Sequence, residues 1–277
     1  ALLSLAMEFL QIYLPQRVPS NLDLVLNAGG ALAGALLAAL LEPLGAIDRW
    51  SALRQRWFVP DARGALVLLA LWPWALLFPA AEPFGLGQVL ERLEAALGEL
   101  LADTPFLAWL PVREAPLQPL SPVAELLCVA LGLLVPCLLA FSMVRHRGRR
   151  VVLVLGIALV GVAATALSAA LSYGPSHAWA WLGIPVRAGL WLGLVLAALS
   201  LVLPQRVSAV LLLVVLTIHL ALLNDAPTSA YFAQTLLVWE QGRFIRFYGL
   251  GQWLGWLWPF ATLVYVLLRA SRRSSAS

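Results

Sequence analysis

Near the start of the chain, carboxylate, guanidinium and amide side chains fall within one stretch, MEFLQIYLPQRVPSNLDLVLNAGG, Met7 to Gly30. Glu8 and Asp23 supply carboxylates that could accept hydrogen bonds or act as a general base. Arg17 supplies a planar fork suited to phosphate or carboxylate, and it is equally the natural ion-pair partner of Glu8 or Asp23. Gln11 follows Glu8 at i+3 and Asn27 follows Asp23 at i+4, spacings that make side chains neighbours on a helix. Plainer roles compete: Ser20 reads as a helix N-cap with Asp23 three residues on, and Asn27 reads equally as an interhelical hydrogen bond. The candidate ligand-binding set is Glu8, Gln11, Arg17, Ser20, Asp23 and Asn27.

A second set lies in NDAPTSAYFAQTLLVWEQGRFIRFYGLGQW, where Tyr231, Glu240, Arg243 and Arg246 could complete a polar site. Glu240 and Arg243, at i and i+3, also suit a local ion pair. Between residues 81 and 121 lie Glu82, Glu91, Glu94, Glu99, Asp103 and Glu114. QVLERLEAALGELL places its leucines at helical spacing with the acids opposite, so these acids are expected on the solvated face of an amphipathic surface helix. No metal, cofactor or nucleophile pattern emerges. His146, His177 and His219 are far apart, and Cys128 and Cys137, nine residues apart on one helix, point in roughly opposite directions.

The elements that must position these groups are membrane helices. Hydrophobic residues make up 62% of the 277 positions and charged residues 12%, about half the charged share of a soluble chain. The apolar blocks fall at 1–14, 22–42, 64–80, 122–144, 150–173, 187–203, 207–223 and 252–268. Most have the length needed to cross a hydrocarbon core of about 30 Å. The expected fold is all-α, a polytopic transmembrane helical bundle of about eight spans. The first block is short and begins without Met, so it is read as a truncated span with upstream helices missing. In that geometry Glu8 lies roughly 9 Å below the end of its helix, and a carboxylate at such a depth normally faces a protein interior or a wet cavity.

All 18 basic residues are arginine, and twelve of them fall in the connections 43–63, 145–149 and 204–206, at Arg150, and in the tail. The excess of basic residues in cytoplasmic loops assigns these connections and the C-terminus to the inside, and the loops 81–121 and 224–251 to the outside. Their place at span ends marks topology, and nucleic acid is not an expected partner. Trp72, Trp74, Trp179, Trp181, Trp253, Trp256 and Trp258 are expected as interfacial anchors.

Glu8 and Gln11 (Glu-x-x-Gln), Arg17, Ser20 and Asp23 (Arg-x-x-Ser-x-x-Asp), and Asn27 and Gly30 (Asn-x-x-Gly) stand in an order and spacing that resembles the VanZ-like family. The resemblance covers about 30 residues, so 1–63 is read as a VanZ-like hairpin region with its cytoplasmic loop, and 64–277 as an additional transmembrane region. The resemblance implies a multi-pass protein of a bacterial-type plasma membrane, active near the cell envelope and linked to glycopeptide antibiotic resistance. It implies no reaction and no cofactor. The leading expectation is a protein that binds membrane lipids, with a lipid head group or cell-wall precursor at the outward hairpin. The alternatives are a membrane enzyme acting on a lipid-linked substrate and a lipid or solute transporter. The transporter reading draws on Pro136, on LPQRV at both 14–18 and 203–207, and on Thr165, Ser168, Thr217 and His219 as isolated polar positions.

Overall fold

The computed structural model describes residues 21–78, 80–109, 118–226 and 250–274, and among these every regular element is helical. The chain divides into two units, 1–56 and 57–277.

In the first unit, α1 (Asn21–Leu41) is an unbroken apolar helix, and α2 (Ala46–Trp57) begins after a turn at Gly45, whose φ of 62° is accessible without strain only to glycine. Asp48 sits in the first turn of α2 and Arg54 and Arg56 in its last, each charge complementing the helix dipole.

The second unit holds α3 (Arg63–Leu77), α4 (Leu90–Leu101), α5 (Pro122–Phe141), α6 (Arg147–Tyr173), α7 (Ile184–Ser200), α8 (Gln205–Asn224) and α9 (Leu250–Ser274), with short 3₁₀ turns at Pro105–Trp109 and Pro175–His177. The helix α5 is the axis of the bundle. It is apolar on every side and buried almost without interruption from Cys128 to Phe141, packed by α3, α6, α7 and α8, while α9 lies along α3. Its closest neighbour is α7. A Cβ added at Gly189 would lie 2.6 Å from the Leu126 carbonyl oxygen, and one at Gly193 would lie 3.0 Å from that of Ala130. Two glycines four residues apart thus let two backbones nearly touch, the small-residue packing that membrane helices favour.

The opposite faces are greasy and uncovered. Leu155 and Leu159 on α6, Trp191, Val195 and Leu199 on α7, and Val207, Val210, Val214 and Ile218 on α8 are all exposed large apolar residues at helical spacing. In water such stripes would drive aggregation, whereas in hydrocarbon they meet a matching solvent. Among the described residues, four helical segments are long and apolar enough to cross a membrane: Pro122–Phe141, Arg147–Tyr173, Gln205–Asn224 and Gly251–Ser271. The chain is an integral, multi-pass membrane protein. Three further apolar helices, Ala28–Leu41, Arg63–Leu77 and Ile184–Ser200, are shorter.

Arg150 ties one end of the bundle together. Its guanidinium is buried and donates to four carbonyls: Nε (3.2 Å) and Nη2 (3.0 Å) to Val144, Nη2 to Phe141 (3.0 Å), and Nη1 to Leu201 (3.0 Å) and Leu203 (2.6 Å). These carbonyls lie at the C-terminal ends of α5 and α7, where helices leave acceptors unsatisfied and carry partial negative charge. Nearby, the Val59 N–H donates to the Met143 carbonyl at 3.0 Å, and Arg269 pairs with Asp61 at 3.6 Å and donates to Met143 Sδ.

The tryptophan expectation requires correction. Trp74, Trp179 and Trp253 are exposed, as anchors should be, but Trp72, Trp181 and Trp258 are core residues. Burial obliges an indole N–H to find an acceptor. Trp258 Nε1 donates to the Leu68 carbonyl at 2.7 Å, which joins α9 to α3, and Trp181 Nε1 donates to the Ala178 carbonyl at 2.9 Å.

Removing the Arg150 guanidinium leaves four inward-facing carbonyls without it, so Arg150→Ala is expected to cost about 3 kcal/mol or more, and Arg150→Lys less but not zero, because one ammonium cannot span both helix ends. Thermal unfolding in detergent measures both.

Candidate functional site

The candidate site is built on the connection between α3 and α4, which does not stay at the surface. Residues 84–88 are buried, and Phe84 is driven into the bundle. A Cβ at Gly132, midway along α5, would lie 2.7 Å from the Phe84 carbonyl oxygen, and one at Gly161 on α6 would lie 2.7 Å from the Phe84 ring. The ring also meets Trp72 and Trp181, with centroids 6.1 and 6.3 Å away. Phe84 has φ of 62°, a left-handed conformation that bulky residues rarely adopt, so close packing on all sides holds it there.

A backbone segment placed among apolar helices must have its polar groups satisfied by protein. Pro259 within α9 has no N–H to give the Gly255 carbonyl, and that carbonyl instead accepts the Gly87 N–H at 2.9 Å. Asn224, at the end of α8, uses both halves of its amide. Its Oδ1 accepts from the N–H groups of Val89 and Leu90, each at 3.0 Å, while Nδ2 donates to the Gly87 and Leu220 carbonyls at 3.1 and 2.8 Å. It therefore caps the start of α4 from another helix. Gln88 Nε2 adds bonds to the carbonyls of Leu223 (3.2 Å) and Ala226 (2.9 Å).

Beside this loop opens a cleft of about 430 Å³ lined by Glu82, Glu125, Thr165, Ser168, Tyr173, Trp181 and Phe84. It lies where α3 and α6 end and α5 begins, at the opposite end of the bundle from Arg150. The Ser168 hydroxyl is committed to the Leu77 carbonyl at 2.8 Å, closing the C-terminus of α3. Thr165 Oγ1 has no hydrogen-bond partner among the described residues. Glu82 has its carboxyl raised from the ordinary range to about 7, first by burial and then by the nearby charge of Glu125. Among the described residues no arginine pairs with it. Near neutral pH Glu82 is therefore a carboxyl that readily exchanges its proton, with a second carboxyl, Glu125, lining the same cleft. Apolar and aromatic walls flank both, an arrangement that can accept from and donate to hydroxyl, amide or amine groups.

Of the residues selected from sequence, Glu8, Gln11, Arg17, Ser20, Tyr231, Glu240, Arg243 and Arg246 lie outside the described residues. Asp23 and Asn27 stand one turn apart on α1. The reading of the 81–121 acids as a solvated face fails at Glu82, because the loop that carries it turns into the bundle. The expected helix does form, as α4. The sequence signal for the turn-in was PFGLGQ, residues 83–88, a largely apolar run between the single Glu82 and the acidic helix, with glycines at the closest approaches. Of the isolated polar positions of the later helices, Thr165 and Ser168 both line this cleft, whereas Thr217 donates back to the Leu213 carbonyl at 2.8 Å on an exposed face, and His219 is buried with Nδ1 3.9 Å from Cys128 Sγ. Both cysteines are free thiols.

Two predictions follow from this packing. Gly132→Ala forces its methyl group into the Phe84 backbone and is expected to cost about 1–3 kcal/mol, whereas Gly156→Ala, with open space around it, is expected to be neutral. Because the fold raises the Glu82 pKa above its unfolded value, folding favours the protonated acid. That contribution is complete below about 4.5 and is lost as pH rises through about 7. The detergent melting temperature should fall over this window, and Glu82→Gln should remove much of the fall. Comparison with family models, curated proteins and solved structures finds no match for the chain.

Proposed function

We propose that this integral membrane protein binds the polar head of an envelope lipid or cell-wall precursor in the outward cleft beside the turned-in loop. The observation that carries the reading is the pairing of Glu82 and Glu125 in a cleft with aromatic and apolar walls. Two carboxyl groups lining one cleft disfavour phosphate and favour hydroxyl, amide or amine groups, so the sugar or amine part of a head group is the part recognised. An apolar tail finds a compatible environment along the exposed faces of the helices.

The orientation belongs to this proposal: arginine-rich connections and C-terminus inside, acidic cleft outside, in a plasma membrane of bacterial type. So does the count of about eight spans, in which the three shorter apolar helices and the block 1–14 also cross. The VanZ-like pattern of Glu8, Gln11, Arg17, Ser20, Asp23, Asn27 and Gly30 supports service at the envelope and a link to glycopeptide resistance. Those residues are proposed as head-group ligands on sequence grounds alone.

A second reading rests on Glu82 itself. A carboxyl poised near neutral pH is what general acid–base catalysis requires, and it favours an enzyme acting on a lipid-linked substrate over a transporter.

Binding to the purified protein should be measured with a glycolipid and with phosphatidylethanolamine against phosphatidylcholine. Combined Glu82→Gln and Glu125→Gln substitution should weaken binding of the preferred lipid about tenfold, or about 1.4 kcal/mol. Phosphatidylethanolamine binding should strengthen as Glu82 ionises through about pH 7. Equal affinity for all three lipids, unchanged in the double variant, would sink the binding reading. Turnover of a lipid-linked sugar, lost in Glu82→Gln, would establish the enzymatic one.

A further inference from the structure

The arginine-rich end of the second unit carries two adjoining cavities that share Gln205. One, of about 460 Å³, is lined by Arg145, Arg147, Arg150 and the turn Val202–Gln205. The other, of about 360 Å³, is a groove with Arg206 and Arg269 at its polar end and Val210, Leu213 and Val266 along its walls. Arg150 is saturated by carbonyls, and Arg269 is engaged with Asp61 and Met143. Arg145, Arg147 and Arg206 differ: among the described residues, no carboxylate pairs with them. Gln205 Nε2, at the junction, is a buried donor with no partner among the described residues.

We infer that this end holds an anionic glycerophospholipid, its phosphate between Arg145, Arg147 and Arg206 with Gln205 Nε2 donating to it, and its acyl chain along Val210, Leu213 and Val266. Charge complementarity selects the head group. Three guanidinium groups with no carboxylate partner among the described residues line the two cavities that share an orphan amide donor, and phosphate oxygens are the acceptors that suit both. The apolar groove selects a lipid over a soluble anion. Basic pockets between membrane helices on the cytoplasmic side commonly hold anionic lipids, and that leaflet is where such lipids concentrate. The site is independent of the cleft at the other end and uses none of its residues.

The test uses the full chain reconstituted in phosphatidylcholine bilayers doped with phosphatidylglycerol, then released into detergent for native mass spectrometry of retained lipid. Phosphatidylglycerol should be retained in preference to phosphatidylcholine. Arg206→Gln and Arg145→Gln, both at exposed positions, should each reduce that preference about fivefold, the change that one basic residue carries at a membrane surface. Arg187→Gln, at the opposite end, should not alter it. The inference is overturned if the two lipids are retained equally, if Arg187→Gln is as damaging as Arg206→Gln, or if soluble glycerol phosphate displaces the lipid at comparable concentration. Should either arginine variant fail to yield folded protein, the other decides.

Discussion

The second unit depends on how one buried cation is accommodated. Arg150 enters a nearly all-apolar bundle with no carboxylate partner among the described residues, and its charge is tolerable because two helix ends supply four carbonyls around it. The exchange is mutual. Each C-terminus gains donors and a positive charge where its dipole is negative, and the guanidinium gains acceptors at nearly every N–H. This fixes the end of α5 against the end of α7. Farther along the same pair, Gly189 and Gly193 let the backbones approach so closely that the axial separation has little freedom. A charge at one end and an absence of side chains in the middle thus set the position of α5.

Everything at the opposite end is referred to α5. Gly132 leaves the space that the Phe84 backbone fills, Gly161 leaves the space for its ring, and Pro259 leaves a carbonyl free to receive Gly87. Each is a local weakening of a helix: two glycines with poor helical propensity and a proline that deletes a hydrogen bond. Together they let a non-helical segment enter a helical bundle with its backbone bonds satisfied. The left-handed conformation of Phe84 is held by these three departures, and the cleft follows from the loop's inward course.

The helices were legible in the sequence because the membrane imposes a length and a composition that apolar runs reveal. Blocks read at 122–144, 150–173, 187–203 and 207–223 correspond to helices at Pro122–Phe141, Arg147–Tyr173, Ile184–Ser200 and Gln205–Asn224. Side-chain roles were less legible, because they depend on which face meets protein and which meets lipid. Hydropathy is nearly blind to that choice in a chain that is apolar all round. Trp72 and Trp258 read as interfacial by position along their helices, yet rotation about the helix axis turns them inward. Arg150 read as one of a cluster marking topology, and only its rotation separates it from Arg149 beside it, whose guanidinium instead lies 5.7 Å from the Trp57 ring centroid. Glu82 read as solvent-facing because a loop between spans is ordinarily outside. Nothing local in the sequence specifies that Asn224, more than a hundred residues away, would draw that loop inward.

Burial alone does not distinguish a structural polar group from a functional one in such a protein; unspent hydrogen-bonding capacity does. Arg150 is the most deeply buried charge described near the arginine-rich end, and every N–H of its fork that bonds is directed to a helix end, so a ligand would have to compete with the fold for it. Ser168 and Thr217 spend their hydroxyls on helix carbonyls. Asn224 and Gln88 are spent on the loop. Glu82 lacks an arginine partner among the described residues, and Thr165 Oγ1 lacks any hydrogen-bond partner there, with both lining one cavity. A fold that goes to such lengths to satisfy the backbone at residues 84–90 tolerates this shortfall a few residues away. The shortfall itself is therefore the strongest physical reason to propose a ligand at Glu82 and Glu125, because a polar head group would supply partners that the described residues do not.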